Sequence, residues 1–281
     1  MGTFRSISVV SILAFAACGG GSDAKPDAPV IIIPDAAIDA PPDAFEPQFD
    51  LSCRGNTGPT TAPPTITLSG AVNEVVLNGV TPSVQASHAA TVDACKNNCV
   101  DADKLDTKVT PASGCPSTGC AYESGNLSTG GVPLDGYLRT TKTNNRTTYV
   151  YPPAPIAASL AMIPVLSFTN GAFSGLSLFL SVTQDPAKGM LLVAFLDCAN
   201  MPISDTANIT LSIKQNGVAV QGTTEKDLSA LAPQLAGTFG VFNVPVGATE
   251  VGGSYKGMAL RARVVGSFAA SSTLTAIRPG F

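Results

Sequence analysis

Hydrophobic and polar positions along residues 51–281 recur mostly with a period of two, the spacing that sends alternate side chains to opposite faces of a strand. In Thr65 to Val72, the residues Ile66, Leu68, Gly70 and Val72 alternate with polar partners, which predicts a half-buried strand. "GYLRTTKT" and "TTYVYPP" flank Asn144 to Arg146 and predict a hairpin with a polar turn, ended by Pro152 and Pro153 because proline cannot donate to a ladder. Gly189 to Cys198 is continuously apolar, as expected of a central strand buried on both faces. Ile209, Leu211 and Ile213 alternate inward, Asn216-Gly217 supplies a hairpin turn, and "VAVQG" returns. "FGVFNVPVG" predicts a strand with an irregularity at Asn243 to Pro245. "GMALRARVVG" places Met258, Leu260, Ala262 and Val264 on one face and Arg261 and Arg263 on the other, and "STLTAIRP" closes the set. Strands of this length and spacing predict a mainly β protein, an antiparallel β-sandwich in two units.

Between the two β regions the periodicity weakens. "AASLAMIPVLSF" and "GAFSGLSLFLSV" are apolar, and Ala172 to Val182 suits a short helix or a buried strand equally. Pro164, Asn170 and Gly171 interrupt the run before either part reaches the eighteen or so residues of a membrane span. Residues 157–188 therefore read as an apolar connector packed between the units. The first unit is expected over 51–156 and the second over 189–281.

The N-terminus follows other rules. Arg5 precedes an apolar run from Ile7 to Ala17, which reads as an export signal over residues 1–17. Phe15-Ala16-Ala17-Cys18 resembles a bacterial lipobox, with Phe15 where Leu is commonest. That resemblance implies acyl groups on Cys18 and a lipid bilayer as partner, and Gly19 rather than Asp after the cysteine implies the outer membrane or cell surface. Residues 18–50 then form a Pro- and Asp-rich tether in which six aspartates and Glu46 against Lys25 give a formal charge of −6. Such composition buries too little apolar surface to offset chain entropy, so it predicts a solvated spacer.

Charge and cysteine count change the picture of the body. The whole chain is formally −4; with the tether at −6 and Arg5 at +1, residues 51–281 stand at +1. Without a basic stripe there is no surface to neutralise a phosphate backbone, so nucleic acid is not an expected partner. Beyond Cys18 stand Cys53, Cys95, Cys99, Cys115, Cys120 and Cys198, an even number that in an exported chain predicts three disulfides of open connectivity. The C-x₃-C and C-x₄-C spacings are not the C-x₂-C commonest in zinc knuckles, so no metal site is assigned. The segment around them is expected to be a disulfide-stapled loop inserted into the first unit, with Cys198 tied to something N-terminal or to that loop.

The two halves echo each other: "VPLDGYLRTTKT" against "GSYKGMALRARV", each with a glycine before an alternating strand and a β-branched or aromatic strand after it. With Val132 to Leu138 and Val246-Gly247-Ala248 as the nearest motif matches, this arrangement resembles the transthyretin-like, carboxypeptidase-regulatory-like sandwich domains, over 65–156 and 189–279. That family carries no catalytic residues of its own, so the resemblance implies a packing or adhesion module with an envelope protein or polysaccharide as its counterpart. The pairing of a Pro-Asp-Ala tether with such modules is also similar to surface lipoproteins of myxobacteria.

Candidate chemistry is sparse. His88 is the only histidine, which excludes a zinc site built from several imidazoles of one chain, and no G-x-S-x-G elbow accompanies it. His88 reads as a loop residue. Asp101, Asp103 and Asp106 in "CVDADKLD" lack the glycine and terminal glutamate of a calcium loop and read as a solvated turn. Tyr149 and Tyr151 share a strand face, either as a sugar-stacking platform or as cross-strand packing. No catalytic residue and no cofactor are assigned. The expected function is a non-enzymatic, envelope-anchored structural or adhesive surface, with a carbohydrate- or peptide-binding module and an extracytoplasmic hydrolase as alternatives.

Overall fold

The computed structural model describes residues 49–78, 81–97, 99–229, 231 and 235–281; the export signal, Cys18 and the tether up to residue 48 lie outside them. The N-terminal half runs β1 (Thr65–Ile66), β2 (Leu68–Asn78), β3 (Thr81–Ala86), β4 (Thr91–Lys96), β5 (Lys104–Val109), β6 (Cys120–Glu123), β7 (Leu127–Ser128), β8 (Gly136–Thr141), β9 (Thr148–Val150) and β10 (Leu160–Phe168), then helix α1 (Asn170–Phe179). The C-terminal half adds β11 (Gly189–Phe195), β12 (Ile209–Gln215), β13 (Val218–Ala219), β14 (Thr224–Asp227), β15 (Thr238–Val244), β16 (Gly247–Tyr255), β17 (Met258–Ser267) and β18 (Ser272–Ile277). The chain is mainly β, in several sheets whose pairings are mostly antiparallel, arranged as sandwiches.

One eight-stranded sheet, ordered β14-β15-β11-β18-β9-β8-β4-β5, takes strands from both halves. Its register assigns each residue to a face. Leu192, Leu274, Val150, Leu138 and Ala94 stand opposite one another in successive strands, so they share one face. That face carries the N-terminal core, where Val92, Ala94 and Leu138 meet Leu68, Val72 and Val165 of the sheet β10-β2-β3, and its continuation against Phe173 of α1. The row Leu191, Thr273, Tyr149, Arg139, Asp93 belongs to the opposite face. There Leu191, Val193 and Phe195 pack on Ile213, Val251 and Leu260 of the sheet β13-β12-β16-β17. The two covering sheets thus lie on opposite faces of a shared sheet, and β11 is buried on both sides, as its unbroken apolar run requires.

This geometry corrects four expectations. The halves are not joined by a passive connector: Leu160–Phe168 is a strand beside β2, and 170–179 is a helix capped by Thr169, whose side-chain oxygen accepts from the Ala172 N–H at 3.1 Å. The pairings are not all antiparallel, because β10 with β2, β11 with β18, and β18 with β9 run parallel. The cysteine-rich segment is not mainly loop, since β4 and β5 pair across residues 91–109. Finally, β17 does not keep one parity. A register shift between Val251 and Gly253 places Arg263 inside at 8% exposure and Val264 outside at 54%, because the extra residue of a bulge reverses which side chains face the core.

Candidate functional site

Tyr149 and Tyr151 come together with Tyr137, Cys95 and Cys99 on the outward face of the N-terminal strands. The rings stack on each other rather than on open space: Tyr137 lies 4.5 Å from Tyr151, and Tyr149 lies 3.9 Å from Phe268, centroid to centroid. The Tyr137 hydroxyl donates to the Asn97 carbonyl at 2.8 Å, and burial pushes its pKa up to about 12. Burial likewise raises Tyr149 and Tyr151. Because Phe268 follows β17, this cluster is the place where the C-terminal covering sheet meets the N-terminal strands. Arg263 strengthens the same junction, its guanidinium donating to Asp135 at 2.6 Å and to the Pro152 carbonyl at 3.1 Å. The aromatic faces are occupied by one another, so cross-strand packing accounts for them.

Two charged groups that the strand patterns did not single out are buried beside these elements. Asp93, 2% exposed, accepts from Arg139 through Nε at 3.1 Å and Nη2 at 2.6 Å and from the Thr107 hydroxyl at 2.7 Å. Glu74, 5% exposed on β2, accepts from Lys142 at 2.8 Å, Asn145 at 2.9 Å and Gln85 at 3.0 Å. Burial alone would raise the Glu74 carboxyl, but the hydrogen bonds from Lys142, Gln85 and Asn145 outweigh it and hold its pKa below the ordinary glutamate value. Lys142 and Asn145 sit in the β8–β9 turn and Gln85 on β3, so Glu74 fastens that hairpin to the sheet of β2 and β3. The signal was present as single charges inside strand patterns, in "NEVV" and "TVDAC", where a lone carboxylate needs a buried partner.

The acidic loop does not gather into one site. Asp101 pairs with Lys104, Asp103 accepts from Asn97, and Asp106 accepts from the Gly125 N–H and pairs with Lys108. A shallow depression between Asp106, Tyr122 and Leu138 has room for about one water molecule, far less than a small-molecule site needs.

The six body cysteines pair as Cys53–Cys198, Cys95–Cys99 and Cys115–Cys120. The first ties the start of the body to the third residue after β11; the others close short spans in the N-terminal half. Among the described residues, one group brings metal-ligand atoms together: His88, Cys115 and Cys120, whose ring nitrogen and sulfurs lie within 4.8 Å of one another. With the sulfurs bonded to each other they have no thiolate to offer a metal ion.

No family model and no curated protein matches the sequence. Among solved structures, the shaft pilin SpaA of Lactobacillus rhamnosus GG aligns with 76% of this chain and 96% of its own, at 10% identity and a TM-score of 0.22. The minor pilin GBS52 of Streptococcus agalactiae aligns with 76% of this chain and 95% of its own, at 8% identity and a TM-score of 0.23. A streptococcal ancillary pilin aligns with 76% of this chain and 62% of its own, at 12% identity and a TM-score of 0.20. Scores at this level carry no argument about architecture or role, which are read from this chain's own residues.

Proposed function

We propose that the protein is an envelope lipoprotein, tethered through acyl groups on Cys18, whose disulfide-bonded β body presents a non-enzymatic structural or adhesive surface. The observation that carries this reading is the cysteine pairing. All six cysteines of the body bond with one another, which is the pattern of an exported chain, and the seventh, Cys18, is left over at the end of an apolar leader. A cysteine surplus to the disulfide framework, preceded by two alanines and followed by three glycines, suits thioether lipidation. The acidic tether then holds the body off the surface, and two or more acyl chains make the attachment stable where one would exchange. Among the described residues no helix is long and apolar enough to cross a membrane, so the lipid is the anchor this reading names.

Expression of the full chain in a Gram-negative host should yield protein that enters the detergent phase and whose first mature residue is an acylated Cys18. Cys18→Ser should move it to the aqueous phase with the leader cut elsewhere or retained. A mature wild-type protein that begins at another residue and carries no acyl mass overturns the anchor.

A further inference from the structure

The Cys115–Cys120 bond differs from the other two disulfides in what stands beside it. Cys120 opens β6 and is fully buried, paired in register with Val72 of β2. The Ser87 N–H donates to the Val72 carbonyl at 3.0 Å, which brings the next residue, His88, alongside the same point of β2. His88 Nδ1 lies 3.4 Å from Cys120 Sγ. The turn that holds it is clamped from the far side: the Thr110 hydroxyl donates to the Ser87 carbonyl at 2.9 Å and accepts from the Ala90 N–H at 2.9 Å, and the Ala89 N–H donates to the Pro111 carbonyl at 3.1 Å. Cys115 is only partly buried, in a loop whose neighbours from Pro111 to Thr118 are otherwise exposed.

Thiol–disulfide exchange needs access to one sulfur and a stabilised departure of the other. This bond offers both, from opposite sides. A thiolate arriving from solvent reaches Cys115, whereas Cys120 is shielded. The sulfur expelled is then Cys120, inside the protein, where an unpaired negative charge is costly unless a proton or a positive group meets it. The His88 imidazole is placed to do so. Neither Cys95–Cys99, with both residues buried, nor Cys53–Cys198 has a histidine, since the chain holds only one.

We propose that Cys115–Cys120 is an exchange site for an external thiolate, which attacks Cys115 while His88 protonates the departing sulfur of Cys120. The incoming sulfur forms a bond to Cys115 Sγ, the Cys115–Cys120 bond breaks with its electron pair passing to Cys120 Sγ, and that sulfur takes the Nδ1 proton of the His88 imidazolium. The products are a mixed disulfide on Cys115, a Cys120 thiol and a neutral imidazole. Return attack by Cys120 releases the incoming thiol and restores the resting bond, so capture is reversible and the buried thiol is the resolving group. For an envelope protein, this is a covalent handle for thiol-bearing partners.

The test uses the full oxidised chain with reduced glutathione as the probe, acid quenching, and mapping of adducts by peptide mass. The first adduct should sit on Cys115 with Cys120 free, and His88→Gln should slow its formation about tenfold or more, as loss of a positioned acid does. The opening rate of Cys53–Cys198 in the same sample is the reference, because a variant that merely loosens the fold accelerates both bonds. An adduct on Cys120, earlier opening of either other disulfide, or a His88→Gln rate ratio within about twofold of wild type overturns the proposal. A thiol-terminated polyethylene glycol in place of glutathione separates the sources of the thiolate. Its coupling to Cys115 supports a protein-borne thiol, and glutathione coupling alone supports a small-molecule one.

Discussion

In the C-terminal half, Leu191, Val193, Phe195, Val241, Val251 and Ile277 fill most of the space between two sheets, with Arg263 as the buried cation at its margin. The corresponding space in the N-terminal half is lined by smaller residues, Ala90, Val92, Ala94 and Val72 among them, and its strands also bury Asp93 and Glu74. Fully burying a large apolar side chain contributes about 1.5–3 kcal/mol. The N-terminal core has fewer of these to draw on, and there the charged networks and the two short-range disulfides occur. The connectivity differs in the same sense. β8 and β9 are neighbours in one sheet, whereas their sequence counterparts β17 and β18 lie in different sheets, linked by the Thr273 hydroxyl donating to the Gly266 carbonyl at 2.7 Å and by the Arg261–Arg278 bridge just past β18. Two stretches with similar sequence rhythm therefore close in different ways, and the comparison teaches that strand periodicity specifies faces without specifying which sheet a strand joins.

The largest expected effect tests whether the long disulfide holds the start of the body to the central strand. Cys53–Cys198 spans 145 residues and Cys115–Cys120 spans 5. Loop-closure entropy then assigns about 5 kcal/mol to the first and about 2 kcal/mol to the second. Replacing both cysteines of each pair by alanine and comparing urea denaturation midpoints should show the C53A/C198A protein as much the less stable. Equal losses would mean that the unfolded chain is already compact around residues 53 and 198.

Next in size is a pair of cavities. Phe195→Ala removes a fully buried ring from the C-terminal core and should destabilise by about 3–5 kcal/mol. Leu138→Ala, in the N-terminal core, should cost nearer about 2 kcal/mol, since it removes fewer atoms than the phenylalanine ring and its neighbours Ala90 and Ala94 share the site. Calorimetric melting of both variants measures the contrast. A larger loss at Leu138 would reverse the assignment of the apolar core to the C-terminal half.

How far this was legible follows from the range over which each signal acts. The hairpin at Asn216-Gly217, with both residues at positive φ, and the apolar β11 are local features, and local spacing revealed them. So did the irregularity at Asn243, where φ is +62° and the pairing with β11 shifts. Leu160–Phe168 gives no strand signal of its own, because its partner β2 lies far back in the chain and Pro164 breaks its pattern. The parity of β17 was misread for a different reason: the bulge depends on the pairing strand β16, which contributes Gly252 and Gly253 where close contact with Ala262, Phe195 and the Thr210 carbonyl leaves little room for a side chain. Tyr149 and Tyr151 were recognised as a pair, but Phe268, which covers one of them, follows β17 and nothing in the hairpin announces it. The nearness of His88 to Cys120 has no local signal, because it arises where the turn after β3 and strand β6 meet on β2.

The smallest effect concerns the polar fastening of the N-terminal half and has a sign fixed by the Glu74 pKa. Glu74→Gln keeps the shape and most hydrogen bonds but removes the charge that Lys142 and Asn145 engage, so the loss at pH 7 should be about 1.5–3 kcal/mol, the range for hydrogen bonds to a charged group. Because the folded carboxyl titrates below its ordinary value of 4.5, its contribution is present above that value and is lost as pH falls through the lower folded one. Asp106 and Asp227 are depressed too, but they are present in both proteins and cancel in the difference. The gap between wild type and variant in urea denaturation should therefore be full at pH 7 and shrink on acidification below 4.5. A gap that persists unchanged at pH 3 would mean that the glutamine fails by shape rather than charge, and the N-terminal half would then be held by packing in the same manner as its partner.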